Sequence, residues 1–206
     1  MFDEGLKSLL LKTEYRSGED DLINDFYIPC LLKSSLYRRA VGYFRSTIFL
    51  LVGEQVINFV RNGGKINIIC SPHLTEEDIQ AIKSGYENRS KVLYEMIDRE
   101  LTELLENPKI YNRTRILATL VKGEALDFKI AFRNDSHGIY HEKLGIFIDK
   151  MGDFVTFRGS LNESWNAWCE DGNYEAFDVF CSWNTESDRK RASAHLNYFD
   201  FLWMNL

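Results

Sequence analysis

The order strand, helix, strand between Leu36 and Cys70 constrains this chain more than any other feature. "LYRRAVGYF" is rich in residues that suit a pleated surface, "STIFLLVGEQVINFVRNGG" follows as an apolar helix, and "KINIIC" is a second short β-rich run. Ser46 is the expected N-cap of that helix, and Gly63-Gly64 its stop. Strands joined through a helix pair side by side in parallel, which is the crossover unit of an α/β sheet. "SPHLTEEDIQAI" opens a further helix, with Thr75 as N-cap and Asp78 three residues on. The tail then alternates the strands "DFKIAF", "HEKLGIFID", "DFVTFRG" and "YEAFDVFCSW" before a final helix from Ser187 to about Trp203. The expected class is α/β, a mixed and largely parallel central sheet flanked by helices, in one domain over 1–206.

Three more helices are expected. Asp20 to Leu32 carries Leu22, Ile23, Phe26 and Leu31. Val92 to Leu105 forms one apolar stripe closed by Asn107-Pro108, read as core or dimer interface, and "RTRILATLVK" follows.

Charge narrows the partners. Asp and Glu outnumber Lys and Arg by 31 to 25, a net charge of −6, which argues against a chain coated in nucleic acid. A local basic cleft is still allowed, since Arg38, Arg39 and Arg45 lie together with no acid among them. These, with Arg158, are candidate contacts to a nucleic-acid backbone, with ion pairing to the surplus acid as the alternative. Cys30, Cys70, Cys169 and Cys181 show no C-x-x-C spacing and read as thiols in a reducing cytoplasm. The longest apolar run is interrupted by Glu54 and Asn58 and is too short and polar to span a bilayer, and no leader precedes it, so a soluble, cytoplasmic protein is expected.

The chemistry gathers at "HEKLGIFIDKMGDFVTFRGSLNESW". At period two, His141, Lys143, Gly145, Phe147 and Asp149 share one strand face, while Leu144, Ile146 and Ile148 share the other, conventional buried face with Glu142. The turn "DKMGD" reverses the chain, and a hairpin centred on Met151 pairs residues whose numbers sum to about 302. Lys143 then lies opposite Gly159, which allows close approach, and His141 opposite Leu161, flanked by Ser160 and Asn162. An imidazole, an ammonium, a hydroxyl and an amide thus meet at one strand end. Lys143 and Asn162 are the donors a phosphodiester's non-bridging oxygens need, and a neutral His141 can attack phosphorus. No metal is required by that scheme, and the chain shows no H-E-x-x-H or comparable ligand set.

These residues resemble the catalytic motif of the phospholipase D superfamily, H-x-K-x4-D followed by G-S-x-N and N-x-E, through His141, Lys143, Gly159, Ser160, Asn162, Asn173 and Glu175. The family aspartate would fall on Ile148; Asp149 stands one place late, on the His141 face, and reads as a turn former. Glu175 is then the candidate for orienting His141. "AVGYFRSTIFLLVGEQVINFVRNGG" and the ending "SWNTESDRKRASAHLNYFDFLW" resemble nuclease domains joined to DEAD/DEAH-type helicases in bacterial restriction and defence proteins. The resemblance implies metal-independent cleavage of phosphodiesters without a cofactor, in a site where two H-x-K motifs face each other. This chain holds one such motif, so the expectation is a homodimer acting on DNA, with a helicase or specificity partner and no membrane. The chain stops close behind its last helix, which suits the N-terminal part of a longer protein.

Two rival functions stay open: hydrolysis of a phospholipid or other small phosphodiester, and a catalytically silent dimerisation module. Ser160 either caps the helix "LNESWNAW" or assists the phosphate. His73 reads as a helix-start residue at a strand end, His137 as a loop residue, and His195 as a surface or interface side chain.

Overall fold

The computed structural model describes residues 5–88, 112–131 and 138–206. The helix expected over 92–105 and His137 lie outside the described residues. Among the described residues seven strands form one mixed sheet: β1 Glu14–Arg16, β2 Leu36–Val41, β3 Lys65–Cys70, β4 Leu126–Ile130, β5 Lys143–Ile148, β6 Phe154–Gly159 and β7 Ala176–Cys181, in the order β1-β7-β6-β5-β2-β3-β4. The crossover unit is present, with β2 and β3 parallel from Leu36↔Lys65 to Val41↔Cys70. Parallel pairing stops at β2–β3 and β3–β4, and the other pairings are antiparallel. In direction the sheet is largely parallel, with only β5 and β7 reversed. The short Asp149–Asp153 turn forces β6 to return beside β5, which a hairpin can do only antiparallel.

The α-helices among the described residues are α1 Ile28–Lys33, entered through a π-helical stretch Leu22–Tyr27, then α2 Phe49–Arg61, α3 Glu76–Asn88, α4 Arg113–Lys122, the short α5 Trp165–Trp168 and α6 Glu186–Asn205. Gly63, at φ +86°, takes the left-handed turn that ends α2, and Gly64 N–H reaches back to the Phe59 carbonyl. Ser46 does not cap α2. A 3₁₀ turn, Ser46–Ile48, precedes the helix, and the buried Asp78 carboxylate of α3 accepts from Ser46 N–H (3.2 Å) while Arg113 of α4 donates to the Ser46 hydroxyl (2.9 Å). Thr75 caps α3 as expected, its hydroxyl accepting from Asp78 N–H (3.2 Å). Asp78 therefore ties the starts of two helices together instead of closing its own capping box.

Both faces of the sheet are buried, the Phe147 face of β5 as well as the Leu144 face. Leu144 and Ile146 pack beneath α6 with Ala40 and Phe199. The opposite face holds the larger core, where Phe147 stacks on Tyr37 (centroids 4.5 Å) and Phe157 (5.8 Å), with Phe26, Trp168 and Phe177 around them. The aromatic residues thus serve mainly the core, each adding about 0.5–1.5 kcal/mol per ring pair beyond its area. None of the described helices is long and apolar enough to cross a membrane.

Candidate functional site

The hairpin register is the sequence-derived one: Leu144↔Arg158, Gly145↔Phe157 and Ile148↔Phe154 each sum to 302. It sets His141 and Lys143 at the open end of β5, on the larger-core face but beyond its packed part. Their side chains meet, with Lys143 Nζ 2.9 Å from His141 Nε2. An ammonium there makes Nε2 the acceptor and leaves the ring proton on Nδ1. Burial lowers the Lys143 pKa, and the nearby Arg39 guanidinium lowers it further, against the opposing pull of Glu175 and Glu142. The lysine is accordingly a less hydrated, readier donor than a surface lysine.

Gly42, just past β2, is what lets the imidazole sit there. A Cβ at Gly42 would lie 2.5 Å from His141 Cδ2, and the two segments are joined by Gly42 N–H to the Glu142 carbonyl (2.9 Å). Gly159 allows a close approach too, but of a different partner: a Cβ there would strike the Ala176 carbonyl oxygen at 2.1 Å on β7, not Lys143.

The loop after β6 brings Asn162 in from the other side. Its Oδ1 accepts from Tyr43 N–H (3.1 Å), which leaves the amide NH2 as the group that can donate. Beneath it Glu163, 2% exposed, accepts from Arg39 Nε (2.7 Å), Tyr27 Oη (2.8 Å) and Tyr37 Oη (3.1 Å), while Arg39 Nη2 holds the Leu161 carbonyl (2.7 Å). Burial, and after it the Glu163 charge, raise both tyrosine pKa values well above the ordinary 10, so the hydroxyls stay donors. This network pins the Leu161–Glu163 loop to β2.

Ser160 does not cap α5. It donates to the Glu175 carboxylate and accepts from Ala176 N–H (3.1 Å). Glu175, 6% exposed, also accepts from Asn173 Nδ2 (3.0 Å). Among the described residues it makes no hydrogen bond to His141, so within one chain the imidazole is held by Lys143 and not by Glu175.

The arginines divide. Arg39 is 0% exposed, paired with Glu163 and laid over Phe157 (4.8 Å), so it is corrected from a nucleic-acid contact to a core residue. At period two Arg38 must point away from Arg39, and it pairs with Asp200 of α6 (2.7 Å). Arg158 shares that α6-side face and pairs with Glu142 (2.9 Å). Arg45 lies toward His141 through Tyr43: its guanidinium is 5.8 Å from the Tyr43 ring, and that ring stands 5.8 Å from the His141 imidazole at 80°. Asp149 lies at the far end of β5, where its buried carboxylate accepts from Leu6, Met151 and Asp153 N–H (2.9, 2.9 and 3.0 Å). It is a turn former, as its sequence position indicates.

Sequence reasoning missed Gly42, Tyr43 and Glu163. Alternation Tyr37-Arg39-Val41 was a usable signal that Arg39 points inward and needs an acid, but nothing in the sequence says which one. Among the described residues no group of three His, Cys, Asp or Glu side chains is placed to hold a metal ion.

No protein-family model matches the sequence, and no curated protein matches it significantly. Solved structures do match. NucT from Helicobacter pylori aligns over 89% of this chain and 92% of its own, at 19% identity and a TM-score of 0.50. The fold is phospholipase D-like. A phospholipase D family member, Nuc from Salmonella typhimurium, is also similar, over 92% of this chain and 91% of its own, at 14% identity and a TM-score of 0.49. In the phospholipase D-like frame of this chain, the H-x-K strand β5 sits at the sheet centre between β2 and β6, which supply Gly42 and the Asn162 loop from either side.

Proposed function

We propose that this protein is a metal-independent phosphodiesterase, a DNA endonuclease domain of a restriction or anti-phage defence system, working through His141. The observation that carries the reading is the 2.9 Å pairing of Lys143 Nζ with His141 Nε2, with Asn162 anchored through its Oδ1 to Tyr43 N–H. An incoming phosphate displaces the lysine from the imidazole. Lys143 and Asn162 then donate to the non-bridging oxygens, where charge grows in the transition state. Nε2 attacks phosphorus, the P–N bond forms, the bond to the leaving oxygen breaks, and that oxygen takes a proton from a general acid. Water then attacks the phosphohistidine, gives its proton to the same group, and releases a phosphomonoester and free His141. Glu175 with Ser160 supports the site from the β7 side, and no cofactor enters the scheme.

One chain offers one H-x-K, so the acid is His141 of a second copy, and the active species is a homodimer. Two facing imidazoles divide the two steps, one attacking phosphorus while the other gives its proton to the leaving oxygen. The net charge of −6 makes tight autonomous DNA binding unfavourable, and a helicase or specificity partner delivers the DNA.

The test is cleavage of plasmid DNA in excess EDTA by gel-filtered protein and by His141→Ala. The reading expects cutting by a dimer that survives chelation and disappears in the variant with its dimer intact. Cutting abolished by EDTA, or retained in His141→Ala, contradicts it.

A further inference from the structure

Beside His141 lies a cluster that the catalytic scheme does not use. Tyr43, half-buried, presents its ring to three neighbours: the His141 imidazole at 5.8 Å and 80°, the His73 imidazole at 6.0 Å and 44°, and the Arg45 guanidinium at 5.8 Å. His73, read from the sequence as a helix-start residue, is exposed and stands between β3 and α3. The cluster is built and not a chance meeting of surface side chains. Tyr43 is fixed through its backbone, N–H to Asn162 Oδ1 (3.1 Å) and carbonyl from Glu163 N–H (3.2 Å), so its position is set by the site loop itself. Arg45 Nη1 bonds the Phe44 and His73 carbonyls, which ties the arginine to the segment carrying His73. Its Nε and Nη2 make no bond to another described residue.

We propose that Tyr43 and His73 form a stacking subsite for an unpaired nucleobase next to the scissile phosphate, with Arg45 facing the neighbouring backbone phosphate. This rests on the phosphodiesterase reading and narrows its substrate to nucleic acid with unstacked bases at the cut. The Tyr43 ring stands 5.8 Å from the attacking imidazole, a span that the base adjoining the scissile phosphate can cover. A base inside a duplex has both faces covered by its neighbours and cannot use such a platform; a single-stranded or flipped base can. Stacking also suits a chain of net negative charge, because it adds affinity that does not depend on attracting the phosphate backbone.

The test reads binding on non-cutting His141→Ala protein, so that it does not depend on turnover. The probes are a fluorescein-labelled short oligothymidylate and an abasic deoxyribose-phosphate chain of the same length and charge, compared by anisotropy. The expected result is a preference of about tenfold for the base-bearing probe, lost on adding Tyr43→Leu and kept on adding Tyr43→Phe. An unchanged preference in the Tyr43→Leu protein, or none in His141→Ala itself, overturns the subsite. Circular dichroism verifies that each variant is folded. Cutting by the parent is measured separately: a parent that stacks bases but cuts nothing defeats the catalytic reading and leaves the subsite standing, and a parent that cuts with no base preference does the reverse.

Discussion

At Gly42 a single hydrogen in place of a methyl group decides whether the imidazole of His141 can stand where Lys143 reaches it. A Cβ 2.5 Å from the ring is well inside contact distance, so Gly42→Ala must push His141 outward. His141 is exposed, so its ring can swing out, and its Cα, 3.3 Å from that Cβ, must give by only a few tenths of an ångström. Cleavage is therefore expected to fall about a hundredfold while the melting temperature changes little, read by turnover and by thermal unfolding on the same preparation. Glu163 is the opposite kind of residue, buried and charged with no view of solvent. Glu163→Gln leaves the Arg39 guanidinium without its counter-charge and weakens its hold on Tyr27 and Tyr37. Urea unfolding of that variant is expected to show a loss of ~3–5 kcal/mol, with much of it recovered when Arg39→Met and Glu163→Leu are combined. If the pair costs the sum of its two single changes, Arg39 and Glu163 are not the coupled unit described above.

Among the elements, α6 covers one sheet face with Ala192 and Phe199 as its fully buried residues. Thr156 Oγ1 meets His195 Nδ1 at 2.9 Å, and the Phe180 ring lies against the imidazole, so His195 is half-buried and not the surface side chain its helical position suggests. Burial lowers its pKa below the ordinary 6.5, and Arg158 and Arg191 lower it further. Between the folded pKa and 6.5 the unfolded chain holds a proton that the folded chain does not, so stability falls as the pH drops through 6.5 and levels off below the folded value. Melting temperatures of the parent should decline across that acid window, and those of His195→Gln should decline less. Equal slopes would show that other groups control the acid limb. Much at this scale was readable in advance. The alternation of apolar residues and the glycine in "DKMGD" fixed the hairpin sum of 302, because side-chain period and turn length leave little freedom. The cap of α2 was not readable, since the acceptor for Ser46 N–H is Asp78, which comes from another helix and is set by tertiary packing. For the same reason Ser160 stood between a helix cap and a phosphate contact until β7 was in place to give it Glu175.

For the molecule as a whole, the central sheet places an H-x-K strand between a glycine-bearing strand end and an asparagine loop, and every further claim depends on that placement doing chemistry at phosphorus. The motif residues were legible because their spacing survives in sequence. The buried Arg39–Glu163 post and the Tyr43 ring were not, because their partners lie more than a hundred residues away or across the site. The claim is tested most directly by denaturing a single turnover in excess EDTA on an oligonucleotide radiolabelled at its internal phosphates, and digesting the protein under alkaline conditions. The account predicts an alkali-stable, acid-labile label on the peptide ending at Lys143, carried by His141 and absent from His141→Ala. Cleavage that proceeds in EDTA with no label on that peptide, or with the label on another residue, would contradict it.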